Sequence, residues 1–114
     1  MYESKPSIDW QESVRLANNK LDLAEKIMAM YIESLPESKT KIFADHDDYE
    51  KLAMHLHKLS GASCYCGVPK IKEAISELET AIKQHKKKQI DILINTLSVY
   101  IDEVMEVYKK GTYR

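Results

Sequence analysis

The chain has little with which to build anything but helices. Its 114 residues include only three glycines and three prolines, and no window shows the period-two alternation of β-branched residues that marks a strand. No apolar run approaches the roughly 20 residues needed to span a bilayer. The first 15 residues, with Glu3, Lys5, Asp9 and Glu12, lack the apolar core of a signal peptide. These absences lead us to expect a cytoplasmic domain with no direct membrane contact. Seventeen basic against eighteen acidic residues give a net charge of -1, and there is no long basic stripe to neutralise a phosphate backbone, so nucleic acid is not an expected partner. The scattered glycines include no phosphate-cradling loop, which argues against a nucleotide site of the chain's own. Cysteine is confined to Cys64 and Cys66; two residues apart on a helix they point to nearly opposite sides, so reduced thiols are expected rather than a disulfide.

Against these absences, 44% of the residues are hydrophobic. That is enough for one core, in a chain too short for a comfortable second, so residues 1–114 read as a single domain. Asp9 and Glu12 have capping-box spacing and open a short helix that turns Trp10, Val14 and Ala17 inward and stops at Asn18-Asn19. From Lys20 the stripe Leu21, Ala24, Ile27, Met28, Tyr31 and Leu35 predicts an amphipathic helix, with Pro36 kinking one long element rather than ending it. Asp45-His46-Asp47-Asp48 is a charged turn, and Asp47 with Glu50 repeats the capping-box spacing. The next helix should run to about Cys66, where Gly67 supplies a left-handed stop and Pro69 begins another helix. There Ile71, Ala74, Ile75, Leu78 and Ile82 face inward. The polar run Lys83 to Lys88 closes that helix, its cations complementing the C-terminal dipole. Ile90, Leu93, Ile94, Leu97, Ile101, Val104 and Tyr108 mark the last stripe. The prediction is all-α: an antiparallel four-helix bundle with the Asp9 helix capping one end.

The third predicted helix carries two histidines, and helical phasing separates them. At about 100° per residue, Tyr49, Leu52, Leu56, Leu59 and Ser63 share one inward sector. His57 lies about 130° from its centre and faces solvent, whereas His55 lies about 70° away and borders the core, placed to bond a neighbouring helix. An exposed imidazole keeps a lone pair free for covalent chemistry. Around His57, three or four residues away, are Ala53, Met54, Ser60 and Gly61. A glycine inside a helix costs about 1 kcal/mol relative to alanine, which implies a reason of close approach.

The run His57-Lys58-Leu59-Ser60-Gly61, with Gly67 beyond it, resembles the motif of histidine phosphotransfer (HPt) domains of multistep phosphorelays. The resemblance extends upstream through Ile8-Asp9-Trp10 and Leu35-Pro36. More narrowly, Cys64-Tyr65-Cys66-Gly67-Val68-Pro69 together with the histidine motif is similar to the C-terminal HPt domain of BarA/GacS-type hybrid sensor kinases. This likeness implies a monomeric bundle, cut from a larger membrane-bound kinase. In it His57 takes a phosphoryl group from a receiver aspartate of the parent kinase and passes it to the aspartate of a response regulator. Ser60 and Gly61 would support the phosphoryl group, and Ala53, Met54, Lys58 and Cys64 would form the receiver-docking face, with Met54 at its apolar centre. Many family members carry lysine where this chain has Ser60, which offers one hydrogen bond and no charge. No cofactor of its own is expected; Mg²⁺ would reside on the receiver.

Other readings compete for the same residues. His55, His57, Cys64 and Cys66 diverge around one helix, whereas a structural zinc site needs four converging ligands, so no metal is expected. The thiols read as space-filling, with an oxidation-sensitive role for Cys64 as the sharper alternative. The whole bundle could be a non-catalytic helical adaptor without covalent chemistry. An autonomous kinase or hydrolase lacks both the nucleotide loop and a base fixed beside the nucleophile.

Overall fold

The computed structural model describes residues 5–114; residues 1–4, Glu3 among them, lie outside the described residues. Five helices follow one another: α1 (Trp10–Leu16), α2 (Leu21–Ala44), α3 (Tyr49–Ser63), α4 (Pro69–Lys83) and α5 (Lys87–Lys110). The connections between α2 and α5 are too short for anything but reversal of direction. Each of these four helices packs on its chain neighbour and α5 returns to α2, closing the ring of a four-helix bundle. The core follows the predicted stripes: Met28, Leu35, Leu52, Leu56, Leu59, Ile71, Ile75, Leu78, Ile90, Leu97 and Ile101 are all essentially buried, but Leu21, in the first turn of α2, is 57% exposed and Ile27 half-buried.

Helix lengths determine where α1 must go. The 24-residue α2 and α5 are each about 36 Å long, against about 22 Å for the 15-residue α3 and α4. The long pair therefore overhangs the short hairpin at one end, and α1, packed on α2, covers it. Asp9 caps α1 by accepting from the Glu12 N–H at 3.1 Å. The reciprocal half of the capping box is not made, because the Glu12 carboxylate is engaged bidentately by Arg15. Asn18 and Asn19 both adopt left-handed φ, 57° and 63°, and stop the helix as expected.

Pro36 lies inside α2, which continues through it as one element. The α3 N-cap is Asp48, whose carboxylate accepts from Lys51 N–H at 3.2 Å, rather than the expected Asp47. Since the capping side chain must reach an N–H three residues on, the helix starts one residue later than the Asp47/Glu50 spacing suggested. At its other end α3 stops at Ser63, before Cys66. Gly67 does not supply a left-handed stop, because Gly111 is the one described glycine with positive φ. Gly67 is needed for closeness instead: an added Cβ would fall deep inside the contact distance of the Asp9 carbonyl oxygen and 3.1 Å from Ser13 N. The Asp9 N–H donates to the Gly67 carbonyl at 2.7 Å, and the Gly67 N–H to Ser13 Oγ at 2.8 Å. This pins α1 to the α3–α4 turn, and explains why Ser13 is buried while Trp10 and Val14 are only half-buried.

In the last helices Ala81 and Tyr100 are buried, whereas Ile82 and Tyr108 sit half-buried at the core's margin. Lys70 donates to Glu103 and Lys39 to Asp102, tying α4 and α2 to α5. The Lys83–Lys88 run divides between two helix ends. Lys83 is in the last turn of α4, but Lys86 caps α5 and Lys87 and Lys88 open it, where cations oppose rather than complement the dipole. All of these side chains are exposed to water, which screens the conflict.

Candidate functional site on α3

Helix α3 forms because four inward positions, Leu52, Leu56, Leu59 and Ser63, recur at three and four residues, and all are buried. Its two histidines consequently have different environments. His55 is half-buried, and its Nε2 lies 2.5 Å from the carboxylate of Asp45, the residue that caps the C-terminus of α2. One ring nitrogen of His55 is thus committed to holding α2 and α3 together. His57 is exposed, with no hydrogen bond or ion pair to any described residue. Its imidazole is free on both edges.

The surroundings of His57 are small or apolar and largely open. Met54 is 66% exposed, Ala53 and Ser60 are half-buried, and Gly61 and Cys64 are exposed. A Cβ at Gly61 would meet nothing within 4 Å, so the space one turn beyond the histidine is empty of protein. Tyr65, 63% exposed just past the helix end, adds an aromatic surface that the expected longer helix had obscured. Lys58 points away from this group. It lines a groove between α2 and α3 with Ser34, Glu37, Lys41 and His55, where Lys41 and, more weakly, Lys58 hold the Glu37 carboxyl below its usual pKa.

The cysteines are both free thiols, Cys64 exposed and Cys66 buried. Burial pushes the Cys66 thiol up to about 11, so it is inert at neutral pH. Beneath the site, Tyr31 OH and Ser63 Oγ share a buried 2.8 Å hydrogen bond between α2 and α3, and desolvation raises the Tyr31 phenol well above its ordinary range. No group of three or more His, Cys, Asp or Glu side chains is arranged to hold a metal ion among the described residues; His55, His57 and the two thiols are dispersed around α3 and its end.

Residues 26–107, the segment that contains this helix and most of the bundle, match the Hpt domain family. The chain belongs to the Hpt domain family. Among curated relatives it is 39% identical over 83 residues to the sensor histidine kinase GacS of Pseudomonas protegens, covering 71% of this chain and 9% of that protein. It is 32% identical over 85 residues to the signal transduction histidine-protein kinase BarA of Escherichia coli K12, covering 73% and 9%. This Hpt domain therefore spans about a tenth of the length of those relatives. A crystal structure of the HPT domain of a sensor hybrid histidine kinase from Shewanella is similar with a TM-score of 0.73 and 32% identity, covering 91% of this chain and 95% of that one. Among the described residues of the Hpt domain, no helix is long and apolar enough to cross a membrane.

Proposed function

We propose that this Hpt domain is a phosphocarrier acting between receiver domains. A lone pair on the His57 ring attacks the phosphorus of a receiver phosphoaspartate. The N–P bond forms as the acyl-phosphate P–O bond breaks, leaving a free aspartate carboxylate and a phosphohistidine. In the second transfer, the aspartate carboxylate of a response regulator attacks that phosphorus and the neutral imidazole departs. The exposed, unpartnered imidazole of His57, within the segment that matches the family, carries this reading. His55 is the poorer nucleophile because its Nε2 is already bonded to Asp45.

The roles of the neighbours follow from their positions. Gly61 leaves room for the phosphoryl group and for an approaching backbone. Ser60, one turn on, supplies a hydroxyl donor in place of a cation. Met54 and Ala53, with Cys64, form an apolar rim from which water is excluded when a receiver docks, and Lys58 meets the receiver further round the helix. Mg²⁺ and the acidic pocket belong to the receiver, the bundle acts as a monomer, and the transfer takes place in the cytoplasm, where a larger sensor kinase would hold this domain.

The test is transfer from a receiver domain pre-phosphorylated with acetyl phosphate. Wild-type protein and His55→Gln should acquire acid-labile, alkali-stable phosphate, and His57→Gln should acquire none. Labelling of His57→Gln, or a wild-type protein that binds the receiver but never takes up phosphate, would reduce the domain to a non-covalent adaptor.

A further inference from the structure

Helix α1 has only seven residues, too few to be stable alone, and its one aromatic side chain, Trp10, is only half-buried. What Trp10 packs against comes from the far end of the chain. Gly111 takes φ 70° and turns the chain out of α5, bringing Tyr113 between two rings. Trp10 meets it edge-on at a centroid distance of 5.3 Å and Tyr108 stacks on it at 5.7 Å, 11° from parallel. The Arg114 guanidinium lies 5.4 Å from the Trp10 ring and 5.7 Å from that of Tyr113, and pairs at 3.1 Å with Glu25 on α2. Residues 111–114 thus touch α1, α2 and α5 together.

The N-terminal turn of α1, through its cap Asp9 and through Ser13, bears on the α3–α4 turn by the two Gly67 hydrogen bonds. That turn begins at Cys64 and Tyr65, at the edge of the His57 face. We propose that residues 111–114 are a strap that holds α1 in place, and that through Asp9, Ser13 and Gly67 the strap governs the order of the α3–α4 turn, which begins at Cys64, two helical turns beyond His57. A displaced tail would loosen α1 as a unit, because a seven-residue helix deprived of its aromatic partners is left with the Gly67 backbone clasp, a small contact with α2 and its two buried flanks, Ile8 and Ala17. Loosened, it frees the buried Gly67, while the α2–α5 ring stays folded. This holds whether or not His57 carries phosphate.

Amide hydrogen exchange on the full chain tests the coupling without a receiver. In Tyr113→Ala and Arg114→Ala, the Asp9 and Gly67 amides should exchange at least tenfold faster than in the wild type, with Leu97 and Ile101 in α5 unchanged. Emission of the single tryptophan, Trp10, should shift to the red. Tyr113→Phe, which keeps the ring stack, should behave as wild type. If the Trp10 emission moves but the Asp9 and Gly67 amides do not, the tail is a local ring contact and the proposal fails. It fails equally if α5 amides accelerate as much as those of α1, for then the tail stabilises the bundle as a whole.

Discussion

Replacing Gly67 and Gly61 by alanine, one at a time, should move stability in opposite directions. At Gly67 the new methyl would collide with the Asp9 carbonyl and crowd Ser13 N at 3.1 Å. Backbone, unlike a flexible side chain, cannot swing aside. Either the strain is retained, at about 1–3 kcal/mol, or the Asp9–Gly67 and Gly67–Ser13 hydrogen bonds stretch and are lost, at about 0.5–1.5 kcal/mol each. Detachment of α1 relieves the clash and caps the loss, so either route leads us to expect about 1–3 kcal/mol. At Gly61 nothing lies within 4 Å of the added Cβ, so alanine should gain the full helix-propensity difference, about 1 kcal/mol. With about 4 °C per kcal/mol for a domain near this size, Gly67→Ala should melt about 4–12 °C lower and Gly61→Ala about 4 °C higher. Urea and thermal unfolding followed by far-UV circular dichroism and Trp10 fluorescence measure both. Gly61→Ala should nonetheless slow phosphotransfer, since its methyl fills the space beside His57. A Gly67→Ala variant within about 0.5 kcal/mol of wild type, or a Gly61→Ala variant that loses stability, would refute the close-approach and open-space assignments respectively.

Four further outcomes are expected. Asp48→Ala should cost about 1 kcal/mol through loss of the α3 cap, while Asp47→Ala should be nearly neutral in urea titrations. At pH 8 a disulfide reagent should titrate Cys64 quickly and Cys66 only on unfolding; because the Cys66 and Tyr31 acids are raised in the folded state, the unfolded chain releases those protons first. Stability should therefore hold below about pH 9 and fall as pH rises through about 11 and beyond, as alkaline melts would show. Met54→Ala should raise the receiver concentration needed for half-maximal transfer several-fold, with an unfolding midpoint within about 0.5 kcal/mol of wild type, because its side chain is largely in water.

The helices and the identity of the inward residues were legible because a 3.6-residue stripe is a local signal repeated many times, and α5, with the longest stripe, was read most fully. The contrast between His55 and His57 was legible for the same reason. What the sequence could not show depends on residues distant along the chain. Gly67 looked like a helix terminator because glycine commonly plays that part, but the backbone it must accommodate is that of Asp9 and Ser13, more than fifty positions earlier. Asp45 as the partner of His55, and Tyr113 as the partner of Trp10, carry no periodic trace. Asp47 and Asp48 both satisfy the cap chemistry, so local spacing alone could not separate them. The lysine run was read as a single feature, whereas the three-residue connection between α4 and α5 puts half of it on the next helix.

The outward placement of His57 also bears on how such a module can change over generations. Leu52, Leu56 and Leu59 hold α3 in the bundle, while Met54, His57, Gly61 and Cys64 on the same helix contribute almost nothing to the interior. Folding, and the receiver recognition proposed for this helix, are thus assigned to different faces of one fifteen-residue segment. Substitutions around His57 can therefore accumulate at little thermodynamic penalty, and a duplicated copy could acquire a new signalling partner, insulated from the old one, without first having to rebuild its scaffold.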